Sequence, residues 1–301
     1  MKLSYILKKA ALGALGLAVL FCGGCSTVMT HPFPGQEINV TIGVTDQKTG
    51  DEDWAPGSYH LPNANVCIAR GQGEEDADKA QAFFGLIGRA VAVGESAGAI
   101  QKIIQGQEDK FGMDMENMTK DCLDQELAFT KGFDRFSTGK DWKTAPLQIT
   151  PYAVLSFVDE TNARLWVVLK VTWTDPTPNG KNWNCRYLVG LGDPRPLVGE
   201  GGWCASDGNL LETMTVRDIQ LALQVMFDDL QGKLRNDQVP QINSPAQWMF
   251  YKDSHPVLAQ LLRSTPDYDI FLPIVEDTEF FAGINIVPKH FIFTRQTGAE
   301  Q

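Results

Sequence analysis

Residues 164–173, with the sequence RLWVVLKVTW, decide the fold. Apolar side chains occupy every second position from Leu165 to Trp173, and this period of two indicates a strand with one buried face. Residues 148–158 are also strand-like, and residues 159–162 between the two are a cluster of turn-forming side chains. The sequence therefore predicts a long antiparallel hairpin with one strongly apolar face.

The spacing of apolar residues predicts two helices and one more strand around this hairpin. Residues 214–235 carry apolar side chains every three or four positions, and Thr215 is in place to cap the helix. Residues 115–131 form a second, acidic helix, and Trp183 to Val189 alternate like a third strand. Helix 214–235 would cover the apolar sheet face. The predicted fold class is α+β, with an antiparallel β-sheet covered by amphipathic helices.

Composition divides the chain into four segments. Residues 1–24 form a basic and apolar leader, and residues 25–36 form a tether rich in Ser, Thr, Pro and Gly. Residues 37–240 hold the α+β domain. We predict that residues 241–301 are a C-terminal extension that packs on this domain.

The C-terminal extension begins again with turn-forming residues. Ser254 and a proline in the first turn predict a short helix over 256–263. Residues 269–275 and 283–294 are strand-like, although Pro288 places the second of them at a sheet edge or a bend.

The first 26 residues have the pattern of a secretory leader. A basic start is formed by Lys2, Lys8 and Lys9. The uncharged stretch from Ala10 to Phe21 is shorter than the roughly 20 apolar residues that a spanning helix needs. Small residues then precede a cysteine, in the sequence Gly23-Gly24-Cys25. This order of segments is typical of a signal peptide with a cleavage site.

The stretch Cys22-Gly23-Gly24-Cys25 resembles the lipobox of bacterial lipoproteins. In that family the cysteine is lipidated and becomes the first residue of the mature chain, so the resemblance implies lipidation at Cys25. Cys22 stands where the family usually has leucine. Ser26 follows the cysteine, and in this family a residue other than aspartate there favours the outer membrane. The alternative is an ordinary cleaved signal and an unanchored periplasmic protein.

Charge excludes one class of partner. The chain has a formal net charge of −11, and removing residues 1–24 takes away three lysines and no acid, which leaves about −14. An acidic chain lacks the general basic field that attracts nucleic acid. The lipobox resemblance implies the membrane as a partner, through a lipid anchor at Cys25, and we also expect an envelope protein partner of unknown identity.

Four cysteines remain after the leader and the lipidated residue are set aside. They are Cys67, Cys122, Cys185 and Cys204. In an oxidising compartment four cysteines allow three pairings, of which we favour two disulfides, Cys185–Cys204 and Cys67–Cys122. The first pair would flank a hairpin formed by residues 183–190 and 197–205, and the second would tie the N-terminal half to itself. The alternative, a metal or thiol site, is disfavoured because the mature chain contains no CxxC spacing.

One motif is typical of a catalytic serine. Residues 94–98, with the sequence GESAG, match the G-x-S-x-G nucleophile elbow and resemble carboxylesterases of the α/β-hydrolase family. That resemblance implies Ser96 as nucleophile, with Asp269 and His290 in the right chain order for acid and base. The alternative is a helix whose small residues Ala90, Gly94 and Gly98 pack closely against another element.

Other binding sites have weaker signals. No metal site is predicted, because HxH and HExxH spacings are absent among the four histidines, His31, His60, His255 and His290. No cofactor is predicted, because the sequence has no dinucleotide-binding or phosphate-binding motif in a suitable context. Four tryptophans in the sheet region could stack on a sugar: Trp166, Trp173, Trp183 and Trp203.

These observations favour an envelope lipoprotein with a non-enzymatic scaffold, assembly or accessory role. We expect it to be lipid-anchored in the cell envelope, at the outer membrane and facing the periplasm. The alternatives are a serine hydrolase or esterase that uses Ser96, and a lipoprotein that binds glycan or peptidoglycan through exposed tryptophans.

Overall fold

The computed structural model describes residues 31–35, 37–48, 58–62, 64–70, 97–177, 182–235, 241–246, 248–250, 255–275 and 281–289. Its strands, β1 to β12 in chain order, are Val40–Val44, Tyr59–His60, Val66–Arg70, Phe136–Thr138, Leu147–Phe157, Asn162–Trp173, Trp183–Val189, Arg195–Pro196, Gln241–Ala246, His255–Ser264, Tyr268–Pro273 and Ile284–Pro288. Helix α1 is Met115–Phe129 and helix α2 is Asn209–Leu230. Residues 97–104 are also helical, and 3-10 turns, Glu108–Phe111 and Ala205–Gly208, precede α1 and α2.

The strands form one sheet, in the order β2-β3-β5-β6-β7-β12-β11-β10-β9. The prediction of an antiparallel sheet is wrong, because β3 pairs with β5, β1 pairs with both β4 and β5, and β7 pairs with β12, all in parallel. Parallel neighbours need long crossover connections, and the connections from β3 to β5 and from β7 to β12 contain α1 and α2. The sheet is therefore mixed, and the C-terminal strands extend it beyond β7.

The predicted central hairpin is confirmed. Strands β5 and β6 pair antiparallel along their whole length, from Leu147 opposite Trp173 to Phe157 opposite Ala163. The Asp159 carboxylate accepts hydrogen bonds from the backbone N–H groups of Thr161 and Asn162, at 2.8 and 2.7 Å. This side chain closes the turn and thereby sets the register of the hairpin.

Both faces of the hairpin are buried, although the sequence predicts only one apolar face. Leu165, Val167 and their alternating partners pack in the core beneath the helices. On the opposite face Trp166 and Val168 belong to a second core. This second core also contains Trp248 and Phe281, whose rings stack with centroids 5.2 Å apart.

Helix α2 begins five residues before the predicted start. Its N-cap is Gly208, and Thr215 is fully buried inside the helix instead of capping it. Gly208 has a φ of +84°, and a Cβ there would lie 2.6 Å from the carbonyl oxygen of Lys110. A glycine is therefore required where the helix begins. The spacing of apolar residues, from which the start was predicted, does not show this requirement.

Two predictions for the C-terminal residues are wrong. Residues 255–264 form strand β10 instead of a helix, because β9 and β11 pair with it on both sides. Strand β12 lies inside the sheet between β7 and β11, and not at an edge. Pro288 is the last residue of β12, where the missing N–H interrupts no further pairing.

The prediction of two disulfides is wrong. All four cysteines in the described part of the chain are buried free thiols. Cys67 lies in the core on the face of the sheet opposite the helices, whereas Cys122 belongs to α1 in the core on the helical face. The sheet itself separates this pair.

The second predicted pair, Cys185–Cys204, is separated along strand β6. Cys185 lies on β7, opposite Val171 of β6. The backbone N–H of Cys204 donates to the carbonyl of Leu197, which follows β8, and β8 pairs with β6 at Ala163. The eight positions from Ala163 to Val171 correspond to roughly 25 Å of strand. The predicted hairpin partner of β7 does not form, because β8 is short and pairs with β6.

We predict that reductant leaves the stability of the folded protein unchanged. A native disulfide of this kind would contribute about 2–4 kcal/mol, so its absence should keep the Tm with and without dithiothreitol within about 1 °C. Alkylation of the denatured, unreduced protein followed by peptide mass mapping should modify Cys67, Cys122, Cys185 and Cys204. Recovery of any of the four only after reduction would contradict the structure.

Candidate functional site

The sheet divides at one point along β5. Strand β1 pairs with Leu147 to Ile149, whereas β3 pairs with Ala153 to Phe157. Between these segments the Nδ2 group of Asn65 donates a hydrogen bond to the Pro151 carbonyl at 3.1 Å. The two parallel neighbours of β5 thus separate beside Pro151, and the chain leaving β1 and the chain entering β3 diverge.

A cleft of about 340 Å³ opens at this division. We call it the β1–β3 cleft, and its lining residues are Asp46, Lys48, Pro62, Ala64, Asn65, Gly112, Met113, Asp114, Met115, Glu116 and Asn117. They come from the segment after β1, the segment before β3 and the start of α1. The volume lies at the lower end of the range of small-molecule sites.

Three carboxyl groups and one ammonium group line the cleft. Asp114 caps α1, and its Oδ1 accepts from the backbone N–H of Asn117 at 3.0 Å. Lys48 forms an ion pair with Asp46, and Lys120, on the next turn of α1, forms one with Glu116. With Asp46, Asp114 and Glu116 against Lys48, the described lining side chains have a formal net charge of −2.

Asn65 supplies a buried acceptor in the wall of the cleft. The residue is 2% exposed, and its amide nitrogen is engaged by Pro151. Its Oδ1 has no hydrogen-bond partner among the described residues. A buried amide oxygen without a donor costs about 1–3 kcal/mol, so such groups normally have a partner or a bound molecule.

The cleft has the chemistry of a binding site. Its described lining contains carboxylates, amides, a lysine and two methionines, and no serine, cysteine or histidine. The described residues contain no group of three or more His, Cys, Asp or Glu side chains placed to hold a metal ion.

Of the three catalytic residues implied by the carboxylesterase resemblance, the structure describes Asp269 alone. Ser96 and His290 lie outside the described residues, as do Gly94 and Ala90. Asp269 is buried on β11, and its Oδ1 accepts a hydrogen bond from Ser264 Oγ at 2.5 Å. Lys289 donates to the same Ser264 oxygen at 3.2 Å.

Gly98 shows no close packing of the predicted kind. No described heavy atom lies within 4 Å of a Cβ built on this residue, which is part of helical residues 97–104. The described part of the chain therefore gives no packing reason for a glycine here.

The tryptophans considered for sugar stacking are all buried. Trp166, Trp173, Trp183 and Trp203 are between 0% and 6% exposed. Trp203 donates its indole N–H to the Ala163 carbonyl at 2.7 Å, and Trp183 donates to the His31 carbonyl at the same distance. Their rings serve the core, and in this structure none presents a face to a glycan.

A buried charged network holds the end of α2 against β7. The Arg235 guanidinium donates to both Asp229 oxygens at 2.7 Å, and the Tyr187 hydroxyl donates to Asp229 Oδ2 at 2.8 Å. Burial, with the Asp229 carboxylate next to it, raises the pKa of Tyr187. Burial also raises the pKa of Cys185 to about 11, so this thiol is a poor nucleophile at neutral pH.

Asp218 is a second buried carboxyl group, on α2. Arg217 donates to its Oδ1 at 2.6 Å, and its Oδ2 has no partner among the described residues. The hydroxyls of Thr119 and Thr215 are also buried and have no hydrogen-bond partner among the described residues. Burial raises the pKa of Asp218 from 3.8 to about 6, and Arg217 opposes this shift.

We predict that Asp218→Asn stabilises the protein at neutral and alkaline pH. Because the folded pKa is raised, the wild-type free energy of unfolding should fall as pH rises from about 4 to about 6, and remain lower above that window. The variant should lack this fall and be more stable by about 1–3 kcal/mol at about pH 8. Urea denaturation at about pH 4 and about pH 8 measures the difference, which should vanish at the lower pH.

Asp159→Asn provides a control of opposite sign. Hydrogen bonds from Asn162 and Thr161 lower the pKa of Asp159 to about 2. Its stabilising contribution is present above the unfolded pKa and is lost only as pH falls towards about 2. A gain for Asp218→Asn that is the same at both pH values would contradict the assignment.

No local sequence pattern indicates the β1–β3 cleft. Its residues come from three separated segments, and only the division of the β5 edge places them together. The N-cap position of Asp114 is readable from sequence in principle, because an Asp before an amphipathic stretch is a common helix start. Cys25, the predicted lipidation site, lies outside the described residues.

Comparisons with known proteins give no family assignment. No family model, no curated protein sequence and no solved structure matches the chain. Within the described part of the chain, no helix combines the length and apolar character needed to cross a bilayer.

Proposed function

We propose that this protein is an envelope lipoprotein, anchored by lipid on Cys25, with a non-enzymatic scaffold, assembly or accessory role. The observation that carries the proposal is the leader, a basic start and an apolar stretch that end in Gly23-Gly24-Cys25. A lipid anchor of several acyl chains buries enough methylene groups for stable membrane attachment. Ser26, in place of aspartate, supports an outer-membrane location facing the periplasm.

The packing of residues 31–35 supports a short distance between lipid and folded body. Phe33 is buried, and its ring packs edge-on against Trp173 and Trp183, with centroids 5.3 and 5.1 Å away. The His31 carbonyl accepts the Trp183 indole N–H. The chain between Cys25 and His31 can span at most about 20 Å.

This short connection would orient the body on the membrane. The end of the sheet that bears Trp173 and Trp183 would lie next to the bilayer, within reach of the anchor. Confinement to a surface raises the effective concentration of such a body near membrane partners without any new contact. A scaffold or assembly factor gains most from this effect, and this supports an accessory role.

Two variants test the anchor. We expect wild-type protein and Cys22→Ala to sediment with membranes and to be released only by detergent. Cys25→Ala should take up no radiolabelled palmitate, because it has no acyl acceptor, whereas wild-type protein and Cys22→Ala should take it up. Palmitate uptake by Cys25→Ala, or its absence in Cys22→Ala, would contradict the proposal.

The GESAG motif favours one alternative, a serine hydrolase that uses Ser96. A fluorophosphonate probe distinguishes the two, with Ser264→Ala as a control for the serine that contacts Asp269. Our proposal expects no labelling of the folded wild-type protein. Labelling that is lost in Ser96→Ala and kept in Ser264→Ala would replace the accessory role by an esterase activity.

A further inference from the structure

We propose that exposed apolar side chains around Phe129 and Ile38 insert into the bilayer that carries the lipid anchor. This inference rests on the proposed function, because the lipid on Cys25 is what brings the folded body to a membrane. It adds a contact surface on the body itself. We call this surface the anchor-end patch, and its residues, all exposed, are Pro32, Pro34, Ile38, Ala128 and Phe129.

Large exposed apolar side chains are few in the described part of the chain. They are Ile38, Phe129 and Leu258, which are 41%, 84% and 45% exposed. A single exposed apolar residue is normal on a protein surface, so the argument depends on where these residues lie. Two of the three belong to one end of the body. The Phe129 ring gains almost nothing from folding and keeps its apolar area for another apolar phase.

Arg135 binds the segment that carries Ile38 to the end of α2. Its guanidinium donates to the carbonyls of Gly35 and Ile38, at 2.8 and 3.2 Å. The same guanidinium donates to the carbonyl of Leu230, the last residue of α2, at 2.6 Å. The chain that enters from the tether therefore lies against the C-terminal end of α2.

The C-terminal end of α1 lies at the same end of the body. Helix α1 ends at Phe129. Three residues later the Gly132 carbonyl accepts a hydrogen bond from the side-chain amide of Gln231, at 2.9 Å. Gln231 directly follows α2. Phe129 and Ile38 are therefore held next to the same helix end, although they are far apart in the chain.

The length of the tether identifies the bilayer as the occupant of the patch. Phe33 is buried against Trp173 and Trp183, so the folded body begins close to this end of the sheet. The chain from Cys25 to His31 can span at most about 20 Å. A folded domain of about 100 residues has a radius of gyration of about 13 Å, so a protein partner does not fit between this end and the membrane.

Charge is not what attracts this end to lipid. The exposed charged side chains that flank the patch residues in the chain are Glu37, Lys131 and Asp134, and they have both signs. They create no basic field for anionic headgroups. Apolar side chains of a membrane-bound surface enter about 5–10 Å into the boundary between headgroups and acyl chains. Vesicles of phosphatidylcholine alone should therefore suffice.

A fluorescent label next to Phe129 tests the inference in the full lipidated protein. Ala128→Cys accepts an NBD label, and the four described native cysteines are buried in the folded protein. After addition to preformed phosphatidylcholine vesicles, we expect the NBD emission to shift to the blue. Nitroxide groups on the lipid acyl chains should quench the label, and aqueous iodide should not.

The same label on Glu160→Cys supplies a control at the far end of the hairpin. Glu160 is exposed in the turn between β5 and β6, and the 11 residues of β5 separate this turn from the anchor end by roughly 35 Å. Iodide should quench this label, and lipid nitroxides should not. Flotation of the vesicles, measured in every sample, reports on the lipid anchor separately.

Two substitutions in α1 distinguish insertion from mere proximity to the membrane. Phe129→Ser should lose most of the nitroxide quenching at Ala128→Cys and should still float with the vesicles. Gln125→Ser changes an exposed polar residue one helical turn earlier and should keep both properties. No change in Phe129→Ser, or an equal loss in Gln125→Ser, would overturn the proposed insertion.

The failure of insertion and the failure of the anchor have different signatures. If the protein floats but iodide quenches the Ala128→Cys label, the insertion is wrong and the anchor stands. If the label is shielded from iodide without nitroxide quenching, another protein chain covers the patch, which also overturns the insertion. A wild-type protein that does not float would overturn the anchor and this inference with it.

Discussion

Replacing Asp229 by alanine is expected to lower the free energy of unfolding by about 3–5 kcal/mol. Asp229 is 1% exposed and Arg235 has a side chain that is 8% exposed. Without the carboxylate, the guanidinium would stay buried without its counter-charge, and the Tyr187 hydroxyl would lose its acceptor. Because this network attaches α2 to β7, its loss should affect the whole fold. Urea denaturation followed by tryptophan fluorescence measures the change.

The neighbouring residue on α2 supplies a matched control. Asp228 pairs with Arg263 at 2.6 Å, but these side chains are 28% and 37% exposed. Asp228→Ala should therefore cost less than about 1 kcal/mol. Similar losses for Asp228→Ala and Asp229→Ala would contradict the difference in burial on which the account depends.

A double variant separates the pair from the space it fills. Asp229→Leu together with Arg235→Met removes both charges and keeps apolar volume, so it should be more stable than Asp229→Leu alone, which keeps the volume but leaves the Arg235 guanidinium unpaired. This outcome would show that the unpaired charge, and not lost packing, causes most of the damage. A double variant that is less stable than the single one would contradict that interpretation.

Trp203→Ala should have an effect of similar size, about 3–5 kcal/mol, because it empties a buried site. Trp203 is 0% exposed, and its indole N–H donates to the Ala163 carbonyl. The substitution removes the ring from the core and leaves that carbonyl without its donor. Thermal and urea denaturation should both detect the loss.

Trp142→Ala is the matched control for Trp203→Ala. Trp142 is half-buried, with Lys120 over its ring at 5.2 Å from the centroid. Its removal should cost about 1 kcal/mol, since less apolar area is lost and the cation contact is worth little. If Trp203→Ala were as mild as Trp142→Ala, and cell-wall fragments quenched Trp203 fluorescence, the glycan-binding alternative would replace a core role for this residue.

Local patterns predicted the central part of the fold and failed where distant segments decide. The hairpin of β5 and β6 follows from a strict period of two and a turn closed by Asp159. The start of α2 depends on Gly208 meeting Lys110, almost a hundred residues away. Residues 256–263 have helix signals, but pairing with β9 and β11 makes them a strand. Propensity is a weak prior when such pairing is available.

The disulfides were the clearest failure, for a reason that sequence does not contain. Successive side chains of a strand lie on opposite faces of the sheet. Cys67 lies on the face away from the helix that carries Cys122. The candidate cleft was missed for a related reason, because only the division of the β5 edge brings Asn65 near the start of α1. Both results depend on pairing order, which no local pattern encodes.

The intact mass and N-terminal peptide of the mature protein test the central claim most directly. We predict a chain that begins at Cys25 and whose first residue carries the mass of the attached lipid, with no trace of residues 1–24. Cys22→Ala should give the same product. A mature chain that begins at another residue, or an unmodified Cys25 thiol in protein purified from membranes, would contradict the account.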